Sequence, residues 1–254
     1  MRSTLITVLW LGTSGTVNGA NESPLTGEER NAIRAEHQKA IKAADDVIQQ
    51  MPEQIRAYSS RADARFFLAE FDGALADYEK MIELNSDTEP SHWRRGIAAF
   101  YVKDFKTAAK QFELYHTFDD VDRENGIWRY FSQYKAYGPE KARQGLLKYE
   151  KTDREPFPSV YKLFAGQMTG DQILDAIKNA KISDLEREKR FFYAQLYIGL
   201  NYAVENKPKK AVVHLREAVA NKWPRGPRGG YGPAYMWHVG RVHYDLLTRE
   251  DEQN

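Results

Sequence analysis

Apolar and small residues recur along the chain in short blocks with helical spacing. In the block 92–101 the apolar positions follow one helix face, and the block 105–112 repeats this after a tight join. Apolar residues three or four positions apart form a single buried stripe on a helix. Gly96 in the first block and Ala108 in the second put small side chains where two paired helices approach. The pattern predicts two short amphipathic helices that pack as a hairpin.

The same pattern returns at a fixed interval. In four pairs of matching positions the two residues are 34 positions apart. The pairs are Ala62 and Gly96, Phe71 and Phe105, Ala74 and Ala108, and Tyr78 and Phe112. Further small residues that continue this frame are Ala40, Ala142, Ala176 and, one position out of step, Ala211. A helical hairpin that recurs about every 34 residues is typical of the tetratricopeptide repeat. We therefore expect an all-α, tetratricopeptide-type helical-hairpin solenoid of about five to six repeat units with degenerate ends.

The segments outside the repeats have their own signals. Thr26 and Glu29 form a capping box that predicts a helix from about residue 27 to Gln50. Proline and glycine exclude a helix over 221–233, and an aromatic helix after it is expected to cap the open end. The predicted organisation is a signal peptide over 1–20, an N-terminal capping helix over 21–51, the solenoid over 52–220, a Pro/Gly-rich loop over 221–233, a C-terminal capping helix over 234–247 and a disordered tail over 248–254.

The segment 1–20 has the composition of a secretory signal. Arg2 precedes a brief apolar run, and small and polar residues follow up to Ala20. The run is far shorter than the roughly 20 apolar residues that span a bilayer. We expect a secreted or periplasmic protein with no integral membrane segment after removal of the signal. The alternative is an N-terminus that is apolar by chance.

Charge and composition exclude several kinds of protein. The 37 basic and 36 acidic residues nearly cancel, which argues against nucleic acid as a partner. Without cysteine the chain has no disulfide, no thiolate nucleophile and no cysteine to carry a lipid. The six histidines lack metal-ligand spacing, so no metal is expected. Proline within 226–230 argues against a phosphate-binding loop, and no cofactor is expected.

A solenoid of hairpins usually presents a concave groove to a partner, and the repeat frame indicates which side chains would line it. The candidate partner-binding residues are Arg56, Asp63, Phe67, Trp93, Arg94, Ile97, Tyr101, Phe131 and Tyr134. Aromatic anchors among charges are typical of interface hot spots, and Arg94 is suited to a partner carboxylate. The alternative is that these rings are core, buried by the first helix or by the neighbouring repeat.

One helix also resembles a known family. The segment 95–101, Arg-Gly-Ile-Ala-Ala-Phe-Tyr, is similar to a helix of the NlpI-type tetratricopeptide lipoproteins of bacterial envelopes, and weaker similarity covers roughly residues 58 to 223. The resemblance implies a helical homodimer that acts as a periplasmic adaptor, bringing cell-wall hydrolases and a processing protease together without chemistry of its own. This chain departs from the family in lacking the lipid-bearing cysteine, and its aromatic C-terminal helix has no counterpart there.

Two functional hypotheses follow. The first is a non-enzymatic interaction scaffold or adaptor of the bacterial cell envelope that binds partner protein segments in the concave groove. The second is an enzyme or enzyme subunit with a small-molecule pocket under residues 222–233. A charged cavity beside that loop would favour the second hypothesis, and an open, solvent-filled groove would favour the first.

Overall fold

The computed structural model describes residues 23–252, and every regular element in that range is helical. The helices are α1 (Gly27–Gln50), α2 (Ile55–Phe67), α3 (Phe71–Leu84), α4 (Trp93–Tyr101), α5 (Phe105–Phe118), α6 (Arg123–Tyr137), α7 (Pro139–Gln144), α8 (Phe157–Phe164), α9 (Gly170–Asn179), α10 (Asp184–Val204), α11 (Pro208–Ala220) and α12 (Tyr231–Glu252). Short 3₁₀ turns occupy Ser86–Thr88 and Trp223–Arg225. The predicted all-α class is confirmed over the described part of the chain.

Successive helices pack in pairs through the small residues that the sequence singled out. A Cβ added at Gly96 on α4 would lie 2.7 Å from Phe112 Cζ on α5, so only glycine permits this approach. Gly199 on α10 is in the same position against Leu215 on α11, where a Cβ would lie 2.8 Å from Leu215 Cγ. Ala108 is fully buried within the first pair. The predicted close approaches at Gly96 and Ala108 are therefore confirmed.

The first helix begins where the sequence predicted. The side-chain oxygen of Thr26 accepts a hydrogen bond from the backbone N–H of Glu29 at 3.1 Å, and the Glu29 carboxylate accepts one from the Thr26 N–H at 2.8 Å. These reciprocal bonds satisfy two donors that a helix start leaves without partners. The hydrogen bonds to Thr26 lower the pKa of Glu29, which favours the charged carboxylate of the box.

The middle of the chain departs from the repeat. Helix α7 begins at Pro139 as expected but ends after six residues, and no helix forms again until α8. The prediction that Ala176 is a packing position is wrong, because this residue is exposed while Ile173 and Ile177 on the same helix are buried. Gly170 at the start of α9 faces α10 instead, where its Cβ would lie 3.0 Å from Ile198 Cγ2.

The last helix differs most from expectation. It begins at Tyr231, inside the predicted loop, because Gly232 and Pro233 are compatible with a first helical turn. It continues to Glu252, so the prediction of a disordered tail is wrong for residues 248–252, and residues 253–254 lie outside the described range. Trp237 is fully buried and its indole N–H donates to the Val219 carbonyl at 2.9 Å. The helix is therefore part of the core rather than a cap on one end.

The predicted signal peptide over 1–20 lies outside the described residues. Among the residues that are described, no helix has both the length and the apolar character needed to cross a membrane.

Candidate functional site

The inner face on which the sequence predicted an open groove is covered by α12. The Tyr235 ring lies 4.9 Å from the Trp93 ring and 5.1 Å from the Phe67 ring, measured between centroids. His238, one turn further on, stacks on Phe67 at 4.0 Å. The chain thus places its own aromatic helix where a partner segment was expected, and the prediction of a continuous open groove is wrong.

The predicted carboxylate-binding arginine already has a carboxylate within the chain. Arg94 Nη1 donates to Asp63 Oδ1 at 2.6 Å and to the Ser59 hydroxyl at 3.0 Å. It also donates to the Tyr231 hydroxyl at 2.8 Å, and that hydroxyl donates to Asp63 Oδ2 at 2.6 Å. Charge-assisted bonds of this kind are stronger than neutral ones. Arg94 and Asp63 therefore fasten the start of α12 to α2 and α4, and the charge of Arg94 is already paired within the chain.

The remaining candidate groove residues are of three kinds: some are buried, some contact other side chains of the same chain, and one is exposed. Ile97 and Phe131 are buried at 1% and 0% exposure, so neither lies on an open groove. The Tyr101 hydroxyl lies 3.0 Å from His243 Nδ1 on α12, and the Tyr134 ring packs on that of Tyr130. Arg56 is exposed at the start of α2. Aromatic burial in the core, which was the alternative interpretation, accounts for most of these rings.

A cavity of about 560 Å³ lies beneath residues 221–233. Its lining comes from α4, α5, α6, α10, the first turns of α12 and the connecting segments. The apolar lining residues are Trp93, Ile97, Phe112, Trp128, Leu185, Tyr193, Trp223, Pro233 and Met236, and the polar ones are Asp122, Glu124, Asn125, Arg154, Glu186, Lys189 and Arg228. Among the predicted groove residues, only Trp93 and Ile97 reach this cavity. A cavity that combines apolar and aromatic side chains with convergent polar groups is typical of ligand sites.

Local backbone features position the aromatic wall. Trp93 is the first residue of α4, and Trp128 lies on the buried face of α6. Trp223 begins a 3₁₀ turn and its N–H donates to the Asn221 side-chain oxygen at 2.9 Å. A Cβ on Gly229 would collide with the Pro224 carbonyl, so a glycine is required for the loop to fold back over the tryptophan. The wall depends on this loop as much as on the helices.

One side of the cavity holds a compact charged cluster. Asp122 caps α6, and its side chain accepts from the Glu124 N–H at 3.0 Å. Arg154, from the segment before α8, donates to Glu124 Oε2 at 2.7 Å and to Asp122 Oδ1 at 3.3 Å. The Tyr197 hydroxyl on α10 donates to Glu124 Oε1. Side chains from two other parts of the chain, Arg154 and Tyr197, therefore meet at the Glu124 carboxylate.

Burial changes the titration of these carboxylates. Loss of solvent raises the pKa of Glu124 to about 7, although Arg154 opposes the change by favouring the charged form. Burial also raises the pKa of Asp122, and Arg154 again opposes it. A carboxyl that titrates near neutrality within a cavity is able to hold or release a proton at physiological pH. Among the described residues that line the cavity, Glu124 therefore has the titration expected of a general acid or base.

Arg228 stands apart from this cluster. It lies on the loop over the cavity, is exposed, and makes no ion pair with any residue in the range 23–249. Lys189, by contrast, has Glu186 at 3.5 Å. The cavity thus has a paired charged cluster on one wall and an unpaired cation among the loop residues.

The sequence predicted a pocket under 222–233 only as an alternative, and it did not single out Asp122, Glu124 or Arg154. Asp122 precedes a helix in the manner of an N-cap, which was the one available signal. Nothing in the linear spacing brings Arg154 back to residues 122 and 124, because that contact depends on the non-helical path of 145–156. No protein-family model matches this chain.

Proposed function

We propose that this chain is a non-enzymatic binding protein of the tetratricopeptide-repeat type, and that the cavity under residues 221–233 receives one bulky apolar group of a partner protein segment. The observation that carries this proposal is the aromatic wall formed by Trp93, Trp128 and Trp223. The covering of the inner face by α12 argues against a long open groove as the recognition site.

The repeat assignment is supported by burial at matching positions. Ala62 on α2 and Gly96 on α4 are one repeat period apart, and both lie on the buried side of their helices. Ala74 on α3 and Ala108 on α5 have the same separation and are both fully buried. Equal spacing with equal burial is what nested hairpins of a tetratricopeptide solenoid require.

The chemistry of the partner group follows from the lining. A volume of about 560 Å³ lies within the usual range for ligand sites, and stacking on indole rings favours an aromatic or large aliphatic group. Asp122 and Glu124 share Arg154, and Glu186 lies 3.5 Å from Lys189, so Arg228 is the lining cation without an ion pair in the range 23–249. We expect the preferred segment to carry a carboxylate close to its apolar anchor, because arginine binds carboxylates through paired hydrogen bonds.

Filling the cavity tests this proposal. Gly232 lines the cavity, and a Cβ added there meets nothing within 4 Å. We expect the variant Gly232→Phe to fold normally and to lose at least tenfold in affinity for peptides selected on the wild-type chain from a displayed random library. Binding is measured through the fluorescence of the cavity tryptophans and by calorimetry.

The matched control is Gly27→Phe, which adds the same ring at the first residue of α1, where a Cβ also meets nothing within 4 Å. This variant should bind the selected peptides as the wild type does. Equal affinities of Gly232→Phe and the wild type would refute the cavity as the site. A selection that yields no peptide with an apolar anchor would refute the proposed ligand chemistry.

A second candidate function is catalysis in the same cavity. The charged lining of the cavity beside residues 222–233, which is the observation expected to favour an enzyme, supports it, and so does the neutral-range pKa of Glu124. General acid–base catalysis works best when the catalytic pKa lies near the working pH. Glu124→Gln keeps the size and hydrogen-bonding ability of the side chain but cannot transfer a proton in the same way. A panel of chromogenic esters, phosphoesters, glycosides and amides measures turnover in both proteins. Turnover that Glu124→Gln abolishes while peptide binding persists would establish the enzyme, and absence of turnover throughout would favour the binding protein.

We propose further that the protein acts outside the cytosol as an adaptor, as residues 1–20 and the envelope-family resemblance indicate. Cell-wall hydrolases and proteases, and a second copy of the chain, are the partners that the resemblance suggests. Cell fractionation with N-terminal sequencing tests export. An uncleaved chain found only in the cytosol would contradict it.

A further inference from the structure

A second, smaller opening lies beside the later turns of α12. It measures about 270 Å³ and lies between α1, the end of α2 and α12. The charged residues that line it are Arg30, Arg34, Arg241 and Arg249, with the carboxylates of Glu70 and Asp245. Four arginines therefore face two carboxylates, in a part of the molecule that shares no lining residue with the cavity beneath 221–233.

Helical spacing explains why these cations converge. Arg30 and Arg34 are four residues apart on α1 and so share one face of that helix. Arg241 and Arg249 flank Asp245 at the same interval on α12. Packing α1 beside α12 turns the two arginine-bearing faces towards one opening, an arrangement that like-charge repulsion opposes unless an anion is present.

The carboxylates within the chain compensate only part of this charge. Asp245 accepts from Arg30 Nη1 at 2.5 Å and from Arg241 Nη1 at 3.1 Å. Glu70 is exposed. Arg34 and Arg249 are exposed and make no ion pair with a residue in the range 23–249, where the side chains are described. Asp245 thus pairs with the two inner arginines and not with the two outer ones.

Arg241 gives the second, independent indication of a missing anion. Its exposure is only 8%, its Nη2 donates to the Phe67 carbonyl, and its buried Nε–H has no hydrogen-bond partner among the described residues. A buried donor on a charged group is costly when it lacks an acceptor. Burial lowers the pKa of Arg241, Asp245 opposes the shift, and the charges of Arg30 and Arg249 lower it further. An anion in the opening would relieve the repulsion between these arginines.

We propose that this opening binds a phosphate group. A tetrahedral oxyanion presents acceptors in several directions, which suits guanidinium groups that approach from two helices, whereas a planar carboxylate suits a single arginine. The opening has room for one phosphate with a small substituent. The site is independent of the cavity proposed for protein segments, so either proposal can fail without the other.

The test measures inorganic phosphate binding to the full chain at constant ionic strength, by calorimetry and by the shift in melting temperature. We expect saturable binding that sodium chloride does not reproduce. The double variant Arg34→Gln/Arg249→Gln should lose at least tenfold in phosphate affinity, and it should fold normally because both side chains are exposed. The control Arg56→Gln removes an exposed arginine at the start of α2 and should bind phosphate as the wild type does.

Equal effects of phosphate and chloride would overturn the proposal, as would equal losses in Arg56→Gln and in the double variant. Two further arms identify the source of the phosphate. Binding of glycerol phosphate without retention on phosphatidylglycerol vesicles indicates a soluble phosphomonoester. Retention on those vesicles that the double variant abolishes indicates a lipid headgroup. Retention that survives the double substitution, without glycerol phosphate binding, counts against the site.

Discussion

The hairpin α4–α5 and the hairpin α6–α7 start from the same repeat pattern and end differently. In the first, Gly96 allows Phe112 to press against the backbone of α4, and the second helix runs for 14 residues. In the second, α7 stops after six residues, and the ring of Tyr149 from the following non-helical segment packs against Gly126. That segment then carries Arg154 back to Glu124. Loss of a regular second helix is thus what brings a charged cluster to the cavity.

The largest effect is expected when the glycine of the α4–α5 hairpin, Gly96, is replaced by a larger residue. Gly96→Leu should lower the free energy of unfolding by about 1 to 3 kcal/mol or more, because the fully buried Phe112 ring and the paired helix would have to move. Urea denaturation followed by circular dichroism measures the change. An unaltered unfolding midpoint would show that the α4–α5 contact does not stabilise the protein.

Acid should lower the stability that the cap of α4 contributes to the α4–α5 hairpin. His92 caps α4 by accepting from the Arg95 N–H at 3.2 Å, and burial together with the Arg94 charge lowers its pKa to about 3. The unfolded chain binds this proton near pH 6.5, so the stabilising contribution is complete above that pH and declines as the pH falls, by at most about 1.4 kcal/mol per pH unit.

The variant His92→Asn replaces the capping ring nitrogen with a side-chain oxygen that can also accept, and it removes the titration. Unfolding free energies measured from about pH 4 to pH 8 should therefore fall less steeply on the acid side in His92→Asn than in the wild type. Part of the slope should remain, because burial also lowers the pKa of His243, to about 4. Identical slopes would show that His92 does not contribute.

The contribution of Glu124, on α6, to the free energy of unfolding should depend on pH in the opposite direction. Burial raises the pKa of Glu124 from its ordinary value of 4.5 to about 7, so the folded chain holds a proton that the unfolded chain has released. The contribution is therefore complete below about pH 4.5 and declines as the pH rises towards 7, over a shorter window than that of His92. Glu124→Gln should remove this decline in the same denaturation series. A decline that persists unchanged in the variant would contradict the assignment.

The smallest change in unfolding free energy is expected at Gly126, the glycine of the α6–α7 hairpin. A methyl group at Gly126 meets the end of the Tyr149 side chain, which lies on a non-helical segment and is only partly buried. Gly126→Ala should therefore lower the unfolding free energy by less than about 1 kcal/mol, and by less than Gly96→Ala does. Thermal melts of the two alanine variants make the comparison. A larger loss at Gly126 would mean that the segment around Tyr149 is as rigid as a repeat helix.

The sequence predicted what depends on neighbouring residues and on regular spacing. The Thr26 capping box and the approach at Gly96 are local, and both were confirmed. Ala176 kept the spacing but not the burial, because α9 packs against α10 through Gly170 and its isoleucines. Repeat arithmetic gives a position in the chain, whereas the face that becomes buried depends on the neighbouring helices.

The path of α12 and the set of residues that line the cavity could not be predicted from the sequence, because both depend on contacts between residues far apart in the chain. An aromatic helix at the end of a solenoid has the same sequence pattern whether it closes one end or lies along the inner face. The contacts that decide between these arrangements, such as that of Tyr231 with Asp63, join residues 168 positions apart. The cluster of Glu124 and Arg154 likewise depends on the path of an irregular segment, for which hydrophobic spacing carries no information.

Helix α12 lines both openings, with Met236 in the cavity and Arg241 in the arginine-lined opening, and its 22 residues make a rod about 33 Å long. A rod transmits a shift or rotation at one end to the other without bending. If occupancy of one opening alters how α12 is seated, affinity at the other changes, and thermodynamics requires the two sites to change each other's affinity by the same factor. Titrating one ligand in the presence of the other would therefore measure the coupling free energy between the two sites.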